Sequence, residues 1–137
     1  MATNSRMASA VHIMTFIARI GEEGTTSEAI ARSLKTNPVV VRRLLKSLAN
    51  EGLVELRRGR NGGVGLARAA RDIKLGQIYR AVESEDGVFS LREAFNARCP
   101  VARGMDAFLP EVFAAASTAV ETSLNRTTLA SLVEFVG

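Results

Sequence analysis

The segment from Asn37 to Gly52 constrains the fold more than any other part of the sequence. Asn37 is a good N-cap residue, and Pro38 suits the first helical position because its φ is fixed and its missing N–H costs nothing there. Gly52 suits the position just past a helix, and between these limits apolar side chains recur at helical spacing: Val41, Leu44, Leu45 and Leu48. The opposite side carries a different set: Val39, Arg42, Arg43, Lys46 and Asn50. The sequence therefore predicts a helix that packs on one face and is basic on the other.

The sequence predicts a short helix before this helix and a β-hairpin after it. Upstream, Thr25 and Glu28 match a capping box at the start of a short helix, whose inner face carries Ser27, Ile30, Ala31 and Leu34. Downstream, two alternating stretches, 54–57 and 64–66, are separated by the glycine-rich turn Arg58-Gly59-Arg60-Asn61-Gly62-Gly63. This pattern predicts a β-hairpin with a basic tip.

Further helices are predicted around this centre. Apolar spacing indicates a first helix from Ser5 to Ile20, a short one from Asp72 to Glu83, a long one from Pro100 to Leu124 and a last one from Leu129 to Phe135. Pro110 is expected to kink or divide the long helix. The predicted fold class is mostly α with a small β-hairpin wing. Residues 1–83 are expected to form a winged helix-turn-helix DNA-binding domain, and residues 84–137 a connecting segment, a dimerisation helix and a short C-terminal helix.

Charge is distributed unevenly along the chain. Residues 1–80 hold fourteen Lys and Arg against six Asp and Glu, a balance of +8, whereas residues 81–137 hold four against eight, a balance of −4. A basic first half is suited to a polyanionic partner, and the acidic second half indicates a different task.

The order of elements points to double-stranded DNA. The major groove admits one α-helix, whose N-terminal turns reach the base edges. The residues expected nearest to bases and flanking phosphates are Asn37, Val39, Val40, Arg42, Arg43 and Lys46. Thr26 and Ser27, at the start of the preceding helix, are suited to holding a phosphate on backbone N–H groups. At the hairpin tip the expected DNA-binding residues are Arg58, Arg60 and Asn61.

Three stretches carry the clearest signs of a family likeness that spans nearly the whole chain. They run from Asn37-Pro38 to Gly52-Leu53-Val54, along the wing from Arg58-Gly59 through Gly62-Gly63-Val64 to Leu66-Ala67, and from Ile73 to Val82-Glu83. In these stretches the chain resembles the Rrf2 family of bacterial winged-helix regulators, which includes IscR, NsrR and CymR. The resemblance implies a homodimeric transcriptional repressor or activator, and we expect a repressor on a palindromic operator.

The same resemblance implies a long C-terminal helix that packs against a second copy of the chain. A long helix with many large apolar residues, at the end of a small domain, also needs another surface to cover it. The expected dimer-interface residues are Val101, Met105, Phe108, Leu109, Val112, Phe113, Ala116 and Val120. The chain departs from the family at Arg60-Asn61, where Pro-Gly is usual, and at Val40 and Val64, where an aromatic is common. An operator sequence therefore cannot be carried over.

Sensing residues are few. Iron–sulfur members of the family supply three cysteines before the long helix, whereas this chain has only Cys99, so we expect no cofactor and no metal site. Some relatives recruit a ligand from the first helix of the other subunit, where His12 stands, although a packed, hydrogen-bonded histidine is the simpler interpretation. Cys99 is either a thiol switch, whose thiolate Arg98 and Arg103 would favour, or a small buried apolar residue.

Other classes of function find little support. One His, one Cys and one Tyr form no catalytic constellation, and the wing glycines are not followed by the Gly-Lys-Ser/Thr of a phosphate-binding loop, so an enzyme is not expected. No apolar run approaches the roughly 18 residues that span a bilayer, and we expect a cytoplasmic protein with no membrane partner. A thiol-based redox regulator and a winged-helix protein-interaction module remain as alternatives. The sequence implies no particular effector.

Overall fold

The structure is a computed structural model that describes residues 5–57, 63–83, 87–92, 94 and 96–137. These residues form a mostly helical fold with a two-stranded antiparallel hairpin, as predicted. In chain order the elements are α1 (Ser5–Ile20), α2 (Ser27–Leu34), α3 (Pro38–Asn50), β1 (Val54–Arg57), β2 (Gly63–Leu66), α4 (Leu75–Val82), α5 (Pro100–Leu124) and α6 (Leu129–Val136).

Helix α3 begins and ends within one residue of its predicted bounds. Oδ1 of Asn37 accepts a hydrogen bond from the Val39 N–H at 2.8 Å, which caps the first turn. Gly52, at φ +73°, follows the helix in the left-handed conformation that glycine adopts without strain. The predicted inner stripe is buried in full: Val41, Leu44, Leu45 and Leu48.

The predicted capping box at the start of α2 is wrong by one residue. Thr26 is the N-cap, and its Oγ1 accepts from the Ala29 N–H at 3.1 Å. Thr25 cannot cap the helix because its backbone forms a β-bridge with Val64 of the hairpin, with hydrogen bonds of 3.1 and 2.7 Å. With Thr26 in this role, Glu28 lies one position short of the place from which a capping glutamate reaches back.

The hairpin is anchored to the start of α2 by this bridge. Strands β1 and β2 pair in antiparallel register, with Val54 opposite Leu66 and Arg57 opposite Gly63. At Gly63 the chain passes so close to Thr25 that a Cβ would lie 2.6 Å from the Thr25 carbonyl oxygen. The wing and the N-terminus of α2 are therefore held together by the backbone.

Helix α4 begins at Leu75, three residues later than predicted, after a single 3₁₀ turn at Ala70–Asp72. Long-range backbone pairing is the cause. The Leu129 N–H donates to the Ile73 carbonyl at 2.8 Å, and the Leu75 N–H donates to the Thr127 carbonyl at 3.0 Å. The chain is thereby held extended at 73–74 until α4 can start.

One apolar cluster joins α1 to the helices around it. Helix α1 packs against α2, α3, α4, α6 and β2, so it is sandwiched between other elements. Its buried residues are Ala10, Ile13, Met14 and Ile17. The C-terminal helix α6 returns to this core through the fully buried Leu129.

Helix α5 stands apart from the core. None of its 25 residues is buried, and its main packing partner among the described elements is α4. The two helices meet at Gly76, where a Cβ would lie 2.8 Å from the Glu121 carbonyl oxygen. Pro110 lies inside α5 and has no N–H for the preceding turn, yet the helix continues through it undivided.

None of the helices among the described residues combines the length and the apolar character that a membrane-spanning segment requires.

Candidate nucleic-acid interface

The outward face of α3 is open to solvent. Val39 and Val40, in the first turn, are 46% and 43% exposed. They lie side by side and leave apolar surface in contact with water. Arg42, Arg43 and Lys46 are exposed beside them. This face therefore presents apolar contact surface and cations together at the N-terminal part of the helix.

The three cations differ in their surroundings. Nη2 of Arg42 lies 2.7 Å from Oε1 of Glu28 on α2, with both side chains about half exposed. Neither Arg43 nor Lys46 forms an ion pair with any other residue in the described ranges. In the unbound protein Arg42 is thus held by a carboxylate, whereas Arg43 and Lys46 are not.

The N-terminus of α2 holds a negative charge of its own. The pKa of Glu28 is lowered, first by its backbone N–H and then by the Arg42 guanidinium. Thr26 uses its hydroxyl oxygen to cap Ala29. A phosphate approaching the expected site at Thr26 and Ser27 would therefore meet the Glu28 carboxylate beside the free end of the helix.

The predicted wing-tip residues Arg58, Arg60 and Asn61 lie outside the described residues. At the base of the wing, Nη2 of the exposed Arg57 lies 3.7 Å from Oε2 of Glu55. Its guanidinium also covers Gly65, where a Cβ would lie 3.1 Å from Nη2.

The N-terminus of α1 adds residues that sequence reasoning missed. A shallow notch of about 300 Å³ beside α3 is lined by residues of both helices: Ser5, Arg6, Ser9, Val40, Arg43, Leu44 and Ser47. Arg6 is thus brought to the edge of α3. The only sequence signal was its position at the start of an apolar helix, which did not reveal which face of α3 that helix end would meet.

The two candidate sensor residues occupy separate contexts. His12 lies on the exposed side of α1, where Nε2 is 2.7 Å from Oγ of Ser33 on α2. The expected hydrogen bond is present, but the residue is exposed rather than packed. Cys99 is half-buried at the N-cap of α5, and its thiol makes no capping hydrogen bond.

The expected dimer residues on α5 divide between two faces. Four of them form an exposed stripe with heptad-like spacing: Val101, Met105, Phe108 and Val112. Val101 and Phe108 are 68% and 66% exposed. Phe113 instead packs against Phe89 at a ring-centroid distance of 5.3 Å, and Val120 lines a cavity beside α4.

Comparisons with known proteins agree with this architecture. The Rrf2 family, described as an iron-dependent transcriptional regulator, matches residues 3–135. YwnA of Bacillus subtilis (strain 168), named an HTH-type transcriptional regulator, is 39% identical over 121 residues, which cover 88% of this chain and 89% of YwnA. The solved structure of T. potens IscR has a TM-score of 0.70 at 25% identity and covers 100% of this chain and 89% of its own. CymR, described as the global cysteine regulator of B. subtilis, has a TM-score of 0.67 at 26% identity and covers 98% of both chains.

The residues of this chain do not fit an iron–sulfur cluster. The sequence contains one Cys and one His, so a set of thiolate ligands cannot be assembled within one copy. The imidazole of His12 is engaged by Ser33. Within the part of the chain that the structure describes, no group of three His, Cys, Asp or Glu side chains is placed to hold a metal ion. One copy of this chain therefore lacks the ligands for the iron–sulfur chemistry of the cluster-binding family members.

The order of the helices and the wing, the exposed basic face of α3 and the family match over nearly the whole chain lead to one conclusion. Its relatives are transcriptional regulators and not enzymes. This chain belongs to the Rrf2 family of DNA-binding, winged-helix transcriptional regulators.

Proposed function

We propose that the protein is a homodimeric transcriptional repressor that binds a palindromic operator. The observation that carries the proposal is the outward face of α3, where exposed valines and cations lie together with no protein segment over them among the described residues. A helix with this surface fits the major groove, and a two-fold dimer matches a two-fold operator.

Each DNA-binding residue has a proposed role. Arg43 reads a guanine through two hydrogen bonds, and Arg42 does the same when it leaves Glu28. Val39 or Val40 contacts a thymine methyl group, and Lys46 contacts a phosphate. Other phosphate or minor-groove contacts are assigned, as expected from the sequence, to Thr26, Ser27, Asn37, Arg58, Arg60 and Asn61.

The second half of the chain would supply the dimer. We assign DNA binding to residues 1–83 and dimerisation to residues 84–137, with the α5 stripe as the contact between copies. The exposed stripe supports this assignment because Val101, Met105, Phe108 and Val112 leave a row of apolar side chains in water. Helix α6 also ties the end of the second segment to the core of the first.

The proposal is tested by selecting DNA fragments with the purified protein and measuring affinity for the selected site. Arg43→Ala should weaken binding to that site by about tenfold, because one bidentate base contact is lost, and should weaken nonspecific binding less. Arg126→Ala, an exposed arginine between α5 and α6, is the matched control and should change neither affinity. Equal losses on specific and nonspecific DNA would contradict base reading by Arg43.

A thiol-based response is a second candidate, favoured by the position of Cys99. The thiol stands half-buried at the N-cap of α5 and makes no capping hydrogen bond. A change there would act on the helix assigned to dimerisation. Cys99→Ser should abolish any effect of peroxide on DNA affinity, whereas a variant that still responds to peroxide would remove the thiol from the mechanism.

A further inference from the structure

A cavity of about 460 Å³ lies where three helices meet. The first turn of α1, the C-terminal part of α4 and the C-terminal part of α5 form its walls, and residues 87, 88 and 90 close one side. Its apolar lining consists of Met7, Val82, Val88, Val120 and Leu124. This volume lies within the range of pockets that bind small molecules.

Two polar groups in this cavity are shielded from solvent, the Tyr79 hydroxyl and Oε2 of Glu83. They lie close enough for the Glu83 carboxylate to raise the pKa of Tyr79, but neither atom makes a hydrogen bond of standard geometry with a described residue. Burial raises the pKa of Tyr79 to about 12, and the neighbouring Glu83 carboxylate contributes further. The nearby Ser117 hydroxyl accepts a hydrogen bond from the Val88 N–H at 3.1 Å.

A carboxylate oxygen in apolar surroundings is costly unless a donor meets it. Glu83 lines the cavity together with five apolar residues, the Tyr79 ring, Gly87, Ser90 and the cation Arg6, which forms no ion pair with Glu83 among the described residues. The chemistry that complements these walls is an apolar body that carries a positively charged N–H group.

We propose that this cavity binds a small, mostly apolar primary amine whose ammonium group donates to Glu83. The apolar body would contact Val82, Val120 and Leu124. Binding itself does not depend on the proposed function of the protein.

The cavity has a direct structural connection to the DNA-binding face. Arg6 lines both this cavity and the notch that holds Val40 and Arg43 of α3. Occupancy of the cavity would therefore act on a cation at the edge of the recognition helix and on the packing of α5 against α4. In this respect the inference rests on the proposed function and names the chemical class of a regulatory ligand.

Calorimetry on the 137-residue chain without DNA tests the binding directly. Cyclohexylmethylamine is the probe, and cyclohexylmethanol is its neutral match in size and shape. The amine should bind to the wild type at least tenfold more tightly than the alcohol. Glu83→Gln should weaken amine binding by about tenfold, because a charge-assisted hydrogen bond is lost. Glu111→Gln removes an exposed carboxylate elsewhere on α5 and should leave amine binding unchanged.

A second variant tests the location. Val88→Phe should fill part of the cavity and abolish amine binding, with circular dichroism used to verify the fold. The proposal is overturned if the amine does not bind to the wild type, if Glu83→Gln binds it as tightly, or if a folded Val88→Phe still binds it. None of these outcomes depends on whether the protein binds DNA.

Discussion

At the scale of single residues, the ion pair of Glu28 and Arg42 lies on the face of α3 that we propose binds DNA. The ion pair joins α2 to α3 across 2.7 Å on an exposed surface, where such pairs add little to stability. We expect a larger effect on DNA binding, because the ion pair engages Arg42 and Glu28 places a negative charge beside the proposed phosphate site at Thr26 and Ser27.

Glu28→Gln should therefore raise DNA affinity several-fold, since Arg42 is released and repulsion with phosphates falls. Fluorescence anisotropy with the selected operator measures the change, and Glu22→Gln, an exposed carboxylate after α1, serves as control. Weaker binding by Glu28→Gln would show that the carboxylate instead orients Arg42 for a base contact.

Tyr79 gives a second prediction at this scale, because it is the only Tyr in a chain with no Trp. Its pKa is raised from 10.0 to about 12, so the folded state holds the phenol proton more tightly than the unfolded state does. The resulting stabilisation is complete below pH 10 and is lost as the pH rises from there towards 12.

The ultraviolet absorbance of the phenolate reports this titration without interference from another tyrosine. The folded protein should titrate near 12 and the denatured protein near 10, with Glu83→Gln shifting the folded value downward. A folded wild type that titrates near 10 would contradict the buried position of the phenol.

At the scale of elements, local signals could predict the helices but not every boundary. The bounds of α1 and α3 follow from apolar spacing, the Asn37-Pro38 start and Gly52, all of which act within a few residues. The start of α2 could not be predicted because Thr25 is taken by a bridge to Val64, nearly forty residues away. The start of α4 was missed for the same reason, since 73–74 pair with the beginning of α6.

For the candidate site, too, the sequence predicts some features and not others. The outward residues of α3 could be assigned from helical spacing alone, and they are exposed. The approach of Arg6 to α3 and the pairing of Glu28 with Arg42 depend on how helices cross, which no local pattern encodes. The cavity at Tyr79 and Glu83 was missed because its walls come from distant parts of the chain.

The exposed stripe of α5 can be tested as the proposed contact between two copies of the chain. Phe108→Asp places a charge in the middle of the proposed contact and should dissociate the dimer, because an unpaired carboxylate cannot be buried there at low cost. Light scattering after size-exclusion chromatography measures the mass. Phe135→Asp on α6 is the control, since this phenylalanine is 90% exposed but lies outside the stripe. A Phe108→Asp protein that keeps the dimer mass would refute the interface.

At the scale of the whole molecule, the two halves of the chain differ in charge and in the surface that they expose. The basic first half carries α3 and the wing, and the acidic second half carries α5 with its exposed apolar stripe. Gly76 marks the place where α5 crosses α4, and α6 returns to the core, so both halves share one framework. Under the proposals above, a ligand in the cavity would act on α3 through Arg6, which lines both the cavity and the notch beside α3.

The salt dependence of DNA binding tests the central claim most directly. Arg42→Ala, Arg43→Ala and Lys46→Ala combined remove three exposed cations from α3 and should leave the melting temperature nearly unchanged. Lys46 is the one of the three assigned to a phosphate, and its loss should make the log–log slope of affinity against salt shallower by about 0.9. The triple variant should lose at least a hundredfold in DNA affinity, and its affinity should depend clearly less steeply on salt concentration than that of the wild type. A folded triple variant that retains the affinity and the salt dependence of the wild type would contradict DNA binding by this face of α3.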